Sequence, residues 1–66
     1  MTTNPLKQHR ESLLMNTAEL ARKAGISPLT IYRIESGKPC WVETQRKILW
    51  AFGMDLSEKD KIFPED

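Results

Sequence analysis

The chain has 66 residues, with ten Lys or Arg against nine Asp or Glu and a formal net charge of +1. This length predicts one domain over residues 1–66, in which folding buries about 60% of the surface that the unfolded chain exposes. Cys40 is the only cysteine and His9 the only histidine. An intramolecular disulfide and a structural zinc site built from Cys and His are therefore excluded.

The sequence has no run of about 18 apolar residues, the length that a membrane-spanning helix needs. It also opens without the charged and then apolar leader that directs secretion. From these features we expect a soluble protein of the reducing cytoplasm, without a membrane contact and without a cofactor.

The charges are unevenly distributed along the chain. Residues 1–54 carry eight Lys or Arg and four Asp or Glu, a charge of +4, whereas residues 55–66 carry two Lys and five acids, a charge of −3. A basic body and an acidic tail are typical of a protein whose body faces phosphates. A solvated helix with a frayed acidic end is the alternative.

The first predicted helix begins at Pro5, because proline is favoured at the first helical position, and continues to Met15. Side chains at helical spacing define its inner side: Leu6, Arg10, Leu13 and Leu14. His9 is expected to be exposed.

The second predicted helix begins at Asn16, which forms a capping-box pattern with Glu19 three residues later. Its apolar stripe consists of Leu20, Ala21 and Ala24. Gly25 is expected to end this helix.

The third predicted helix has Ser27 as its N-cap and Pro28 as its first residue, and Gly37 is expected to end it in a left-handed conformation. Two short helices joined by a turn that contains glycine, over about residues 16–37, have the layout of a helix-turn-helix.

The fourth helix is predicted from Trp41 to Phe52, with Val42, Gln45, Ile48, Leu49 and Phe52 on one side. Ser57 and Asp60 repeat the capping spacing for a last turn that ends before Pro64, and an acidic tail follows over about residues 63–66. The sequence thus predicts an all-α, compact domain of four to five helices.

The third helix has two faces of different character. Counted at 100° per residue, Ile31 and Ile34 lie on one side. The other side carries Pro28, Leu29, Tyr32, Arg33 and Ser36. Arginine bridges guanine O6 and N7, and a leucine can contact a thymine methyl group, so this side is chemically suited to base edges. In the alternative interpretation, Leu29 and Tyr32 cover the core and Arg33 pairs with a nearby acid.

The combined pattern resembles the Cro/C1-type helix-turn-helix family of phage repressors and xenobiotic-response-element regulators. The matching segments are residues 19–21, 24–27, 30–38, 43–48 and 51–54. The resemblance implies a lambda-repressor-like DNA-binding domain, and with it a protein associated with the nucleoid. It also implies a sequence-specific regulator of transcription, a repressor in particular, that binds double-stranded DNA as a homodimer on a two-fold operator.

The resemblance assigns base contacts to Pro28, Leu29, Tyr32 and Arg33. It assigns contacts with the DNA backbone to Thr17, Ser27, Thr30, Lys38 and Trp41. Thr17 stands where the family usually has a glutamine, so a shorter hydroxyl would bind the phosphate there. Leu29 replaces the polar side chain with which many members read bases, and the loop at residues 39–41 is less basic than in many relatives, so we expect a modest affinity.

Arg10 and Glu35 match a pair that joins the first helix to the end of the third in members of this family. A partly buried pair of this kind fixes the angle of the third helix, while its net stabilisation is near zero after desolvation. Two independent surface charges are the alternative.

The roles of two further side chains, Trp50 and Cys40, have more than one interpretation. Trp50 is predicted to be part of the core, because a small domain needs large side chains to exclude water, and a dimer contact is the alternative. Cys40 is predicted to be an ordinary small residue rather than a redox sensor.

No metal constellation, catalytic triad or phosphate-binding glycine loop occurs, so we do not expect an enzyme. We favour a DNA-binding regulator because of the basic body and of Arg33 with Lys38. The alternatives are a protein-interaction module whose apolar outer face binds a partner protein, and an antitoxin-like component that represses an operon and contacts a toxin. The near-neutral net charge and Leu29 favour the protein-interaction module.

Overall fold

The computed structural model describes residues 5–64. Its helices are α1 (Pro5–Ser12), α2 (Thr17–Ala24), α3 (Pro28–Glu35), α4 (Val42–Ala51) and α5 (Lys59–Ile62), with a 3-10 turn (Leu56–Glu58) before α5. The described part of the chain contains no strand. The predicted all-α class is confirmed.

The core lies between the helices and is formed by aliphatic side chains with one aromatic ring. Helix α2 packs on α3 and α4, α1 packs on α3 and α5, and α4 packs on α5. The buried apolar residues are Leu6, Leu20, Ala21, Ala24, Ile31, Ile34, Ile48, Leu49, Ile62 and Phe63. Since α2 and α3 contribute five of these residues, the core fixes how the two helices pack against each other.

Helix α1 ends at Ser12, so the predicted continuation to Met15 is wrong. The N–H of Met15 donates to the carbonyl of Arg10 (3.2 Å) and the N–H of Leu14 donates to the carbonyl of Glu11 (2.9 Å). This is the Schellman pattern, which requires a left-handed residue, and Leu14 occupies that position with φ 57°. Leu13 (47% exposed) and Leu14 (90% exposed) therefore leave the core, contrary to prediction.

Local hydrogen bonds set the ends of α2 as predicted. The Asn16 side chain accepts from the N–H of Glu19 (2.8 Å), and the Glu19 carboxylate accepts from the N–H of Asn16 (3.1 Å). At the other end Gly25, with φ 71°, closes a second Schellman pattern. The chain then turns directly into α3.

Helix α4 begins at Val42, and Trp41 is its N-cap without a side-chain hydrogen bond to the helix. Ile48 and Leu49 are buried on the predicted inner side, but Val42 is 59% exposed, so its predicted packing is wrong.

The predicted core position of Trp50 is also wrong, because its side chain is 74% exposed. Ile48 and Leu49 already turn the inner side of α4 to the core, and the next residue lies about 100° further around the helix. Ile62 and Phe63, at the end of α5, are buried in the core, whereas Trp50 is not.

The last helical segment begins earlier than the predicted cap at Ser57 and Asp60. Asp55 is the N-cap of the 3-10 turn: its carboxylate accepts from the N–H of Leu56 (2.9 Å), and Glu58 accepts from the N–H of Asp55 (3.0 Å). This backbone hydrogen bond is the main cause that lowers the pKa of Glu58. Helix α5 ends before Pro64 as predicted, Phe63 is buried, and residues 65–66 of the predicted acidic tail lie outside the described residues.

His9 is half-buried, whereas we expected it to be exposed. Its ring makes an edge contact with the ring of Phe52, with centroids 4.6 Å apart and an interplanar angle of 66°. The contact joins α1 to the end of α4 and covers a side of the core.

Candidate nucleic-acid interface

The outer face of α3 projects from the domain because the opposite face is held in the core. Ile31 is fully buried and Ile34 is 6% exposed. Ser27 begins the helix: its hydroxyl accepts from the N–H of Leu29 (3.1 Å). The hydroxyl proton of Ser27 is not used in this bond and can be donated to a phosphate.

The side chains that the sequence assigned to base contacts share this exposed face. Leu29 is 54% exposed, Tyr32 is 67% exposed, and Pro28 and Arg33 are also exposed. Leu29 and Tyr32 therefore do not cover the core. Within residues 5–64 the Arg33 guanidinium forms no ion pair and no hydrogen bond, so the alternative of a pair with a nearby acid is not realised.

An open groove of about 640 Å³ lies between α3 and the start of α4. Its lining contains four of the residues that the sequence assigned to DNA: Thr30, Arg33, Lys38 and Trp41. Lys38 is exposed and the Trp41 side chain is 84% exposed. The groove thus places two cations and an exposed indole next to the outer face of α3.

Thr17 is the first residue of α2 and is half-buried. It does not line the groove, so it would meet a different stretch of any ligand that spans both helices. A helix N-terminus carries free N–H groups and a partial positive charge, which favour a phosphate near this residue.

Arg10 and Glu35 join α1 to the end of α3. Arg10 Nε donates to Glu35 Oε2 (2.7 Å) and Nη2 donates to Oε1 (3.1 Å), while Nη1 donates to the carbonyl of Met15 (2.8 Å). The two side chains are 9% and 10% exposed. The hydrogen bond with Glu35 raises the pKa of Arg10, so the guanidinium stays charged and this link fixes the angle of α3.

Gln45 lies on the predicted inner side of α4 and makes a contact with the preceding loop that the sequence did not predict. Its Nε2 donates to the carbonyl of Cys40 (3.4 Å), which ties α4 to the loop that carries Trp41. Its Oε1 is buried without a hydrogen-bond partner among the described residues. The available signal was a polar residue on the otherwise apolar side of α4.

Cys40 lies in the same loop and is half-buried. Burial raises the pKa of its thiol, which keeps it protonated at neutral pH. This agrees with its interpretation as an ordinary small residue.

Residues 5–64 contain no group of three or more His, Cys, Asp or Glu that could hold a metal ion. In the same part of the chain, no helix has both the length and the apolar character that crossing a bilayer requires.

The fold and the exposed α3 define the class of helix-turn-helix proteins, and the comparison with protein families gives the same result. The family model described as helix-turn-helix matches residues 6–40, more than half of the chain. The chain belongs to the Cro/C1-type helix-turn-helix family, whose members are DNA-binding regulators. No curated protein and no solved structure matches the chain.

Proposed function

We propose that the protein is a sequence-specific transcriptional repressor that inserts α3 into the major groove of double-stranded DNA. The observation that carries the proposal is the outer face of α3, where Leu29, Tyr32 and Arg33 are exposed and Arg33 has no partner within residues 5–64. The Arg10 link to Glu35 supports it, because reading a base sequence requires a fixed helix angle.

In this proposal Arg33 binds O6 and N7 of a guanine, and Pro28, Leu29 and Tyr32 contact the neighbouring base edges. The contacts with the DNA backbone come from both sides of α3. We assign these backbone contacts to Thr17, Ser27, Thr30, Lys38 and Trp41. Phosphate contacts set the register of the domain on the duplex, and the base contacts select the sequence.

The active species is a homodimer on a two-fold operator, with half-sites about 34 Å apart. A single domain of this size makes few contacts, so a second copy raises the affinity through the effective concentration of the linked half-sites. Bound over a promoter, such a dimer blocks transcription.

Selection of binding sites from random duplexes at low salt tests the proposal. We expect one enriched sequence. Arg33→Ala should cost about 1 to 3 kcal/mol on that sequence and relax the preference at one base pair. Lys38→Ala should weaken all sequences alike and lower the salt slope by about one.

Lys47→Ala is the matched control, because it removes the same charge from an exposed position on α4 outside the groove. It should leave sequence preference unchanged and reduce the salt slope less than Lys38→Ala does. Equal binding of wild type and Arg33→Ala to the selected site would contradict the base-reading role of Arg33.

A second candidate function is a protein-interaction or antitoxin-like module, and the exposed Trp50 favours it. The Trp50 indole is 74% exposed on α4, and tryptophan is enriched at protein–protein interfaces. A protein-interaction module predicts that the folded protein enriches no DNA sequence. A repressor and an antitoxin-like component both predict enrichment, which Trp50→Ala should leave unchanged at a single half-site because Trp50 lies outside α3 and the groove.

A further inference from the structure

The outer face of α3 offers only one strong hydrogen-bonding group for base edges, the guanidinium of Arg33. Asn and Gln, the side chains that bridge adenine N6 and N7, do not occur in α3. The hydroxyls of Thr30 and Tyr32 each combine one donor with an acceptor, so they discriminate weakly among bases. Direct recognition of adenine by a bidentate hydrogen bond is therefore excluded for this helix.

The acceptor that could select cytosine is already in use. Glu35 is the only acid in α3, and both of its carboxylate oxygens receive N–H groups of Arg10. Its side chain is 10% exposed. The Ser36 hydroxyl donates to the carbonyl of Tyr32 (2.9 Å), at the end of the helix furthest from its N-terminus.

What remains on this face is apolar surface near the helix N-terminus. Leu29 is the second residue of α3 and is 54% exposed. The N-terminal residues of a recognition helix are those that approach the base edges. In the major groove the apolar group is the C5-methyl of thymine.

From this inventory we infer that each DNA half-site combines a guanine, bound by Arg33, with a thymine whose C5-methyl packs on Leu29 about two base pairs away. Leu29 and Arg33 are four residues apart, about 6 Å along a helix that rises 1.5 Å per residue. Two base steps of about 3.4 Å span a similar distance. The inference rests on the proposed function, and it specifies a chemical group that the outer face of α3 recognises, the C5-methyl group of thymine.

Replacement of that thymine by deoxyuridine tests the inference, because it removes only the methyl group and leaves the base pair intact. The probe is the duplex selected by the wild-type protein, with deoxyuridine placed at single thymines within and outside the half-site. Loss of one buried methyl group corresponds to about fourfold weaker binding. We expect this loss at one thymine within about two base pairs of the guanine, and no loss outside the half-site.

Two variants separate the contributions of the two residues. In Leu29→Ala the ratio of affinities for the thymine and deoxyuridine duplexes should fall to about one, since the methyl group has lost its partner. Arg33→Ala should lose the guanine preference and keep the fourfold effect of the methyl group. Circular dichroism of each variant verifies that it is folded.

The outcomes distinguish this inference from the proposed function. Enriched sites without a thymine near the guanine, or wild-type binding that is equal for thymine and deoxyuridine, would overturn the inference while DNA binding stands. If the folded protein enriches no sequence at all, both the proposed function and the inference are overturned.

Discussion

Replacement of Arg10 by methionine breaks the link between α1 and α3 and should be strongly destabilising. Arg10 is 8% exposed and supplies two hydrogen bonds to the Glu35 carboxylate and one to the Met15 carbonyl. Without the guanidinium, the carboxylate of Glu35 is a buried charge without its partner. Removal of one member of a buried ion pair costs about 3 to 5 kcal/mol.

That cost is comparable to the stability of the whole domain. At about 0.05 to 0.15 kcal/mol per residue, a chain of 66 residues has a free energy of unfolding of about 3 to 10 kcal/mol. Glu35→Leu should cost a similar amount, because Arg10 then keeps only the Met15 carbonyl as a partner. Combining Arg10→Met with Glu35→Leu leaves no unpaired charge and costs about 1 to 3 kcal/mol for the lost donor to that carbonyl.

Urea unfolding monitored by circular dichroism measures these differences. We expect the double variant to be more stable than either single variant by about 2 kcal/mol or more. Glu35→Gln retains an acceptor beside Arg10 and gives a measurable intermediate value if the other single variants do not fold. Single substitutions that cost less than about 1 kcal/mol each and add in the double variant would refute the reasoning, because that is the behaviour of an exposed pair.

Two further predictions concern the α1–α2 turn and the loop before α4. Leu14→Gly should raise the free energy of unfolding by about 1 kcal/mol, because a left-handed conformation costs a leucine about 1 to 2 kcal/mol and the added freedom of the unfolded chain offsets part of the gain. Leu14→Ala keeps the strain and is the control; equal thermal unfolding of the two variants would contradict the explanation. Burial raises the pKa of Cys40, so at about pH 8 iodoacetamide should react more slowly with the native protein than with the protein in urea. The reaction rate of the native protein should approach the rate in urea only above the ordinary thiol pKa of about 8.5. Equal rates of the native and unfolded protein at about pH 8 would show that the thiol is not protected.

The sequence predicted α2 and α3 well because local hydrogen bonds determine where these helices begin and end. Asn16 with Glu19 and Ser27 with Leu29 form their bonds within three residues. Such contacts depend on spacing along the chain, which is directly readable. The turn at Gly25 likewise needs only a residue that adopts a positive φ at low cost.

The end of α1 was predicted wrongly because the local signal for a helix end, a glycine, is absent there. Helices α1, α2, α3 and α4 each end in the Schellman hydrogen-bond pattern, and the left-handed position is glycine in the last three: Gly25, Gly37 and Gly53. In α1 that position is Leu14, whose apolar side chain fits a continued helix better than a turn. The helix therefore looked longer in the sequence than it is.

The errors at Trp50 and His9 have a tertiary origin. A large aromatic side chain in a small domain is usually buried, but the space beside α4 is taken by Ile62 and Phe63 from a segment more than ten residues away. The ring contact of His9 with Phe52 joins residues that no local spacing relates. The partnership of Arg10 with Glu35, 25 residues apart in sequence, was available only through the family resemblance.

The inner face of α3 stabilises the domain, and its outer face carries the proposed DNA contacts. Ile31, Ile34 and Glu35 hold the helix through burial and through the ion pair, so substitutions there should unfold the domain before they reveal any effect on binding. Leu29, Tyr32 and Arg33 are exposed, and surface substitutions away from caps and buried contacts usually change stability by about 0.5 kcal/mol or less. The outer face can therefore be substituted one residue at a time, with a change in DNA affinity attributable to the lost contact because the angle of α3 is fixed from the other side.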